Sequence, residues 1–321
     1  MFAALALGAA LSVAALPQEA AAPARPPVVS TEDPIRLEDV VSNSRTLEEA
    51  TQTFVQEVAA PVRRRGYARW HDGVCVGVSN LSPEAARFMV DRISDRARQL
   101  GLTAGEPGCD PSILVVATVD ATPFTAEFVS RRPRLFRVGG SGMDHGAAAF
   151  RRFIETDRPV RWWSVSQPTD ADTGQAAVRI PGEVRGSGVG DGSALQYAPN
   201  TAVRGVSRLN AQYRQDLKRT FVIIDVDRVN GASIAQLSDY VAMVSLAQID
   251  PDADTSRFDT ILNLFDDPGA IDGLTDWDNA YLDGLYESES YRINQASQIN
   301  AIAQAIQWKY RDGIAEDESE N

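Results

Sequence analysis

Histidine is nearly missing from this chain. His71 and His145 are the only two in 321 residues, and Cys75 and Cys109 are the only two cysteines. A hydrolytic zinc site takes three protein ligands and a water, and a Ser-His-Asp triad needs an imidazole beside its nucleophile. So few of these residues leave little material for either. Basic runs are missing as well. The formal net charge is −13 and the pI about 4.7, a balance that repels phosphate backbones and argues against nucleic acid as a partner. The one local exception, "PVRRRGYARW" (61–70), reads as a solvated helix end. The glycine-rich stretch Gly182–Ala194 has no strand leading into it and no Gly-Lys-Ser/Thr behind it, so it reads as a surface loop and not as a phosphate cradle.

Beyond the N-terminal run, no apolar segment approaches membrane-spanning length. That run, "MFAALALGAALSVAAL", has the length of a secretory signal core and is followed by the Ala-x-Ala of Ala20–Ala22. We expect residues 1–22 to be a signal peptide, although no Lys or Arg precedes the apolar stretch, and a retained anchor is the alternative. The mature protein is then periplasmic or secreted, with no transmembrane span. Export makes a Cys75–Cys109 disulfide the expected state of the two thiols. Cys75 lies within one strand-like segment and Cys109 just ahead of the next, and parallel neighbours bring their starts together.

What is present is an ordinary globular composition, 44% hydrophobic and 23% charged. Residues 23–45 are rich in Pro, Ser, Val and Asp without a period and read as a flexible leader. One α+β domain is expected over 46–312, followed by a disordered acidic tail, 313–321. "TLEEATQTFVQEV" opens the domain as a long helix, with Thr46 and Glu49 spaced as a capping box. "GVCVGVSNL" (73–81) and "SILVVATVD" (112–120) are strands. Between them "SPEAARFMVDRISDRARQLG" is a helix with Ser82 as its cap and Met89, Ile93 and Ala97 inward, which makes a parallel strand–helix–strand unit. "DHGAAAFRRFIE" is a short helix, and "PVRWWSVSQPTD" a strand that points Trp162 and Trp163 to opposite faces. "FVIIDVD" (221–227) is the strongest strand. The helix after it, Ser233–Gln248, is apolar nearly all round, so it belongs inside a domain. An amphipathic helix over 291–310, with Ile293, Ala296, Ile299, Ala303 and Ile306 inward, closes the pattern.

This order of elements, with "DTILNLF" (259–265) as a turn and "DWDNAYLDGLY" (276–286) as the helix after it, resembles the metzincin-like branch of the zincin metallopeptidases over about residues 66–290. The resemblance implies a mixed sheet, a long N-terminal helix, a buried central helix following a sheet strand and a helical C-terminal part. In that family the central helix carries His-Glu-x-x-His. Here "NGASIAQLSDYVAMVSLAQIDP" (230–251) holds no His, no Cys and no Glu in any register. The resemblance therefore implies a degenerate, non-catalytic zincin-like scaffold without transition metal or other cofactor. A generic α+β protein whose helix merely looks similar is the other reading. "VRWWSVS", "QLSDYVAMVSLAQIDP" and "LTDWDNAYLDGLY" also resemble a group of exported alphaproteobacterial proteins, which implies export but no particular activity.

Other residues allow weaker chemistry. Asp250, Asp252 and Asp254 alternate as in the opening of an EF-hand, but Thr255 and Ile261 stand where its Gly and Glu belong, so a calcium site there is weakly indicated and a solvated acidic turn is preferred. Asp225 and Asp227 share a face at the end of the strong strand and could do acid–base work, though carboxylates at strand ends usually accept loop amides. Ser141, Asp144 and His145 adjoin in sequence without a nucleophile elbow. His71 is expected to cap a turn beside Asp72. Trp162 and Trp163 could form a binding surface. The expected role is binding in the cell envelope, to a peptide, a partner protein or cell-wall material, with a hydrolase acting through carboxylates as the alternative.

Overall fold

Alternation along the strands sorts side chains onto two faces of a four-stranded mixed sheet, in a computed structural model that describes residues 44–61, 66–136, 145–175, 212–229, 231–288 and 295–320. The strands are β1 (Val76–Ser79), β2 (Ile113–Thr118), β3 (Val160–Asp170) and β4 (Tyr213–Asp225). Their order is β1-β2-β4-β3. β1, β2 and β4 run parallel, and β3 lies antiparallel on β4 as one edge. Eight helices are described: α1 (Ser44–Val58), α2 (Pro83–Gln99), α3 (Ala121–Arg131), α4 (Pro133–Phe136), α5 (Ala147–Glu155), α6 (Ile234–Leu246), α7 (Asp276–Glu287) and α8 (Gln295–Glu320), with a 3₁₀ turn at Ile261–Asn263. The fold is thus mixed α+β. No described helix is long and apolar enough to cross a membrane. The expected signal peptide, most of the leader, the glycine-rich loop 182–194, Ser141 and Asp144 lie outside the described residues.

One face presents Ile113, Val115, Val160, Trp162, Leu217, Val222 and Ile224, which join α1, α2, α6, α7 and α8 in the larger core. The other presents Trp163, Val165, Phe221 and Ile223 to α3, α4 and α5, where Phe128, Phe136 and Phe221 make edge-on and tilted ring contacts. A bulge between Val165 and Ser166 skips Lys218, pairing Val165 with Arg219 and Ser166 with Leu217. The extra residue reverses the facing of β4 beyond it, so Leu217 and Val222 reach the same core despite their odd spacing.

α6 is the helix that all of this encloses. Ser233 caps it, accepting from the Gln236 amide, while Gln236 accepts from the Ser233 amide in return. From Leu237 to Leu246 every residue is buried. Val222 and Ile224 cover it from the sheet, and Ile261 and Leu264 cover it from the 3₁₀ turn side. Ile223 faces the opposite layer. Its one ionisable group besides Tyr240, Asp239, is 2% exposed. The Asp239 carboxylate accepts both Arg92 Nε and Nη2 from α2, at 2.6 and 2.7 Å, and the Leu274 amide at 3.3 Å. A Cβ at Gly273 would stand 2.5 Å from Asp239 Oδ2, so the loop can approach the carboxylate only as glycine. Arg69 makes a second polar tie. Its Nη1 donates to the carbonyls of Leu285, Tyr286 and Ser288, which closes the C-terminal end of α7.

Several boundaries differ from expectation. α1 starts at Ser44, so Thr46 lies within the first turn and is not the residue that precedes the helix. α3 and α4 have no counterpart in the sequence reading, because Pro123 and Pro133 look like breaks, yet both sit in first turns that tolerate them. β4 begins at Tyr213, well ahead of "FVIIDVD", since its polar first half is held by pairing with β3. In α8 the inward stripe is rotated. Ala296 is exposed, while Gln298 is buried and accepts the Tyr67 amide. Helical backbone runs to Glu320, through the segment expected to be a disordered tail.

Cys75 and Cys109 form a disulfide, with Cα atoms 6.1 Å apart, that joins the approach to β1 with the approach to β2. Gly105 packs on it, where a Cβ would fall 2.5 Å from Cys109 Sγ. With a separation of 34 residues, the bridge should contribute about 3–4 kcal/mol in the chain-entropy picture. We expect the reduced protein to unfold at correspondingly lower urea, and thiol titration of the unfolded, unreduced chain to find no free thiol. Leu237→Ala or Val244→Ala should each cost about 1–4 kcal/mol by denaturant titration. A loss below a few tenths of a kcal/mol at both positions would mean that α6 is not the packed centre described here.

Candidate functional site

Among the described residues β3 pairs with β4 alone, and a cavity lies against its other side. Asp225 N donates to Pro159 O. By the alternation of antiparallel ladders, Pro159, Arg161 and Trp163 then turn their backbone groups to β4, while Val160, Trp162 and Ser164 turn theirs outward. Against this edge lies a cavity of about 420 Å³. Its walls are the end of α1 (Ala59 to Pro61), the α5 side chains Ala149, Arg152 and Phe153, and the segment leaving α6 (Ile249 to Pro251). Arg158, Arg161, Trp162, Trp163 and Ser164 form its β3 wall, and His145 stands at its side.

Both tryptophans are core residues that also reach the cavity. Trp162 belongs to the α6 face and Trp163 to the α5 face, as a strand with Trp at adjacent positions requires. Their indole N–H groups are spent internally, on Ile249 O at 3.0 Å and Phe136 O at 3.1 Å. What the rings give the cavity is therefore apolar surface. His145 meets the edge of Trp163 with ring centroids 5.8 Å apart.

Three arginines supply the charge. Arg152 Nε and Arg158 Nη2 both reach the Asp252 carboxylate at 2.8 Å, and these guanidinium groups hold Asp252 below the usual carboxylate range. Arg158 also donates to Pro251 O. Arg161 is 1% exposed. It donates through Nη1 to Phe153 O and Ile154 O, at 3.3 and 2.8 Å, and through Nη2 to Thr122 Oγ1 at 2.8 Å. That ties the end of α5 to the start of α3. Its Nε has no partner.

The aspartates read as calcium candidates are engaged otherwise. Asp250 Oδ1 accepts the Asp252 amide, Asp252 holds the two arginines, and Asp254 Oδ1 accepts the amide and hydroxyl of Ser256. Among the described residues no three His, Cys, Asp or Glu side chains group as metal ligands. Asp225 accepts the amides of Ala121 and Asp227 at 3.4 and 3.2 Å, the helix-start and loop role that strand-end carboxylates usually take.

His71 does not cap a turn beside Asp72. Asp72 pairs with Lys218, and His71 Nε2 faces the buried Asp216 at 3.5 Å, a carboxylate already held by Arg214 at 2.9 Å. Burial lowers the His71 pKa to about 4, against the pull of Asp216. A second polar knot joins α7 to the 3₁₀ turn. Asp278 accepts from the Thr260 hydroxyl, the Ile261 amide at 2.7 Å and the Thr275 amide at 3.0 Å. Burial still raises its carboxyl to about 6. Asp216 and Asp278 were not singled out from sequence, since nothing in the local pattern marks an Asp on a strand or helix as buried. No family model, curated protein or solved structure matches the chain.

The two shifted groups act in opposite directions over one pH window. The unfolded chain protonates His71 near its ordinary value of about 6.5 and the folded chain only near about 4, so this histidine costs stability as pH falls between them. Asp278 is protonated in the folded chain below about 6 but in the unfolded chain only near about 3.9, so its term gains stability over the same fall. His71→Gln should therefore remove an acid-labile term. Relative to the native chain, we expect the variant's melting temperature to rise on going from pH 7 to 4.5. Parallel melting curves across that range would show that His71 titrates as it does in water.

Proposed function

We propose that this chain is an exported, non-catalytic zincin-like scaffold that binds an extended peptide segment along the free edge of β3. Several features support the zincin-like part. Three parallel strands carry one antiparallel edge strand. The strand between β2 and that edge leads into a helix buried from Leu237 to Leu246, and a tight turn followed by α7 packs against that helix. The disulfide suits an oxidising compartment such as the periplasm or the exterior.

The residues present do not fit the zinc ion such a scaffold would hold. Where α6 would offer two imidazoles and a glutamate, it buries Ser238, Asp239, Val241, Ala242 and Ser245. Asp239 is consumed by Arg92 and the Leu274 amide. Ser238 and Ser245 donate back to the helix carbonyls of Ile234 and Ala242. Metal-activated hydrolysis has no ligand set on this helix.

The single observation that carries the binding reading is the cavity against a strand edge that is unpaired among the described residues. Outward amides and carbonyls at Val160, Trp162 and Ser164 form a ready template for one more strand. The alternative, a hydrolase acting through carboxylates, draws on Asp225 and Asp227, and the amide contacts of Asp225 speak against it.

Amide hydrogen exchange tests the proposal. In the free protein Trp162 and Ser164 should exchange faster than their ladder-bonded neighbours Arg161 and Trp163. A pool of extended peptides should slow Trp162 and Ser164 without being cleaved. Peptide hydrolysis by the purified chain, or no protection of these amides by any peptide in the pool, would overturn it.

A further inference from the structure

We infer that the cavity beside β3 receives a single carboxylate carried on an apolar group, with Arg161 as the charge that meets it. This rests on the reading of that cavity as a binding site and adds the chemistry of its ligand.

Arg161 carries the inference. A guanidinium stays charged under all ordinary conditions, and burying one is costly unless an anion compensates it. Buried arginines therefore usually face a carboxylate. Arg161 has none within ion-pair distance among the described residues. Its acceptors are two backbone carbonyls and one hydroxyl, all formally neutral. The carbonyls belong to the last turn of α5, whose partial negative charge offsets part of the cost, and Asp157 and Asp225 act only at longer range. The side chain nonetheless lines a cavity of about 420 Å³, and among the described residues its buried Nε–H has no partner. An anion entering the cavity would meet the guanidinium charge at its wall.

The surroundings select the anion. Arg152 and Arg158 already hold the chain's own carboxylate, Asp252, between them at the rim, which shows the charge and reach of these guanidinium groups matched to a carboxylate. Arg152 and Arg158 share Asp252, which leaves Arg161 as the lining arginine without an ion-pair partner among the described residues. One carboxylate would give that guanidinium its partner. The remaining wall is apolar. Phe153 and the two tryptophan rings, their N–H groups spent elsewhere, offer no further polar recognition. The ligand is therefore a carboxylate on a hydrophobic body, supplied either by a peptide's C-terminal residue or by a small apolar acid.

The test uses the full mature chain with four probes: N-acetyl-phenylalanine, its carboxamide, acetyl-Ala-Ala-Phe and its carboxamide. Binding is followed by calorimetry and by the arginine Nε–H resonances. We expect the acids to bind at least about tenfold more tightly than the amides, as charge-assisted pairing requires. They should weaken as salt is raised and shift the Arg161 Nε–H signal. Binding of both acids points to a small-acid ligand, and binding of the tripeptide acid alone to a peptide C-terminus; either supports the inference. Arg161→Gln should bring acid and amide within about twofold of each other. Because Arg161 also ties α5 to α3, that variant could fail to fold, and the native-chain titration then decides. Equal binding of acid and amide, acid binding that leaves the Arg161 signal unmoved, or no binding of either acid overturns the inference. If extended peptides still protect the β3 amides in such a case, the binding-site reading stands without it; if none do, both fall together.

Discussion

A helix buried along its whole length from Leu237 to Leu246 is the constraint on which the rest of the described fold depends. α6 touches the sheet, α2, α7 and the 3₁₀ turn, so each of those elements is positioned by what it must cover. Burying its aliphatic side chains stabilises by about 1.5–3 kcal/mol apiece. That gain comes with one condition, because Asp239 is shut in with them. The carboxylate is tolerated only because Arg92 approaches with both nitrogens and a loop amide fills a further site. The same arrangement fixes the angle at which α2 crosses α6 and the point at which the chain turns into α7. From Leu237 onward the helix has no surface left for ligands.

The sequence was most legible where one physical rule dominated. Period-2 and period-3.6 apolar patterns located β1, β2, α2, the core half of β4 and α6, and the spacing of strand starts placed the disulfide. The all-round apolar character of Ser233–Gln248 correctly implied an enclosed helix. α3 escaped because a proline in a first turn looks like one in a helix interior. Ala296 and Gln298 in α8 were exchanged because a stripe drawn by hydrophobicity overlooks a glutamine whose amide is satisfied by Tyr67.

The candidate site was barely legible at all. Trp162 and Trp163 could be named, since adjacent tryptophans on a strand must serve both faces. Arg152, Arg158 and Arg161 could not, because an arginine in sequence gives no sign of whether its charge is solvated, paired or shut away. The difference rests on tertiary geometry: α5 ends beside the start of β3, and its last carbonyls take hold of Arg161. The aspartates of 250–254 teach the converse. Their spacing suggested a cation, and the fold gives them arginines and amides instead.

The disulfide also sets the covalent topology of the chain. Cys75 and Cys109 close a ring that contains all of α2 and β1. A protease that cuts anywhere inside that ring leaves one covalent molecule, with α2 still tethered at both broken ends to the sheet it packs beside. A cut outside it, for example between α7 and α8, leaves two pieces joined by packing alone. In a compartment where proteases are abundant, damage to the first strand–helix–strand unit is thus survivable in a way that damage to the C-terminal helices is not.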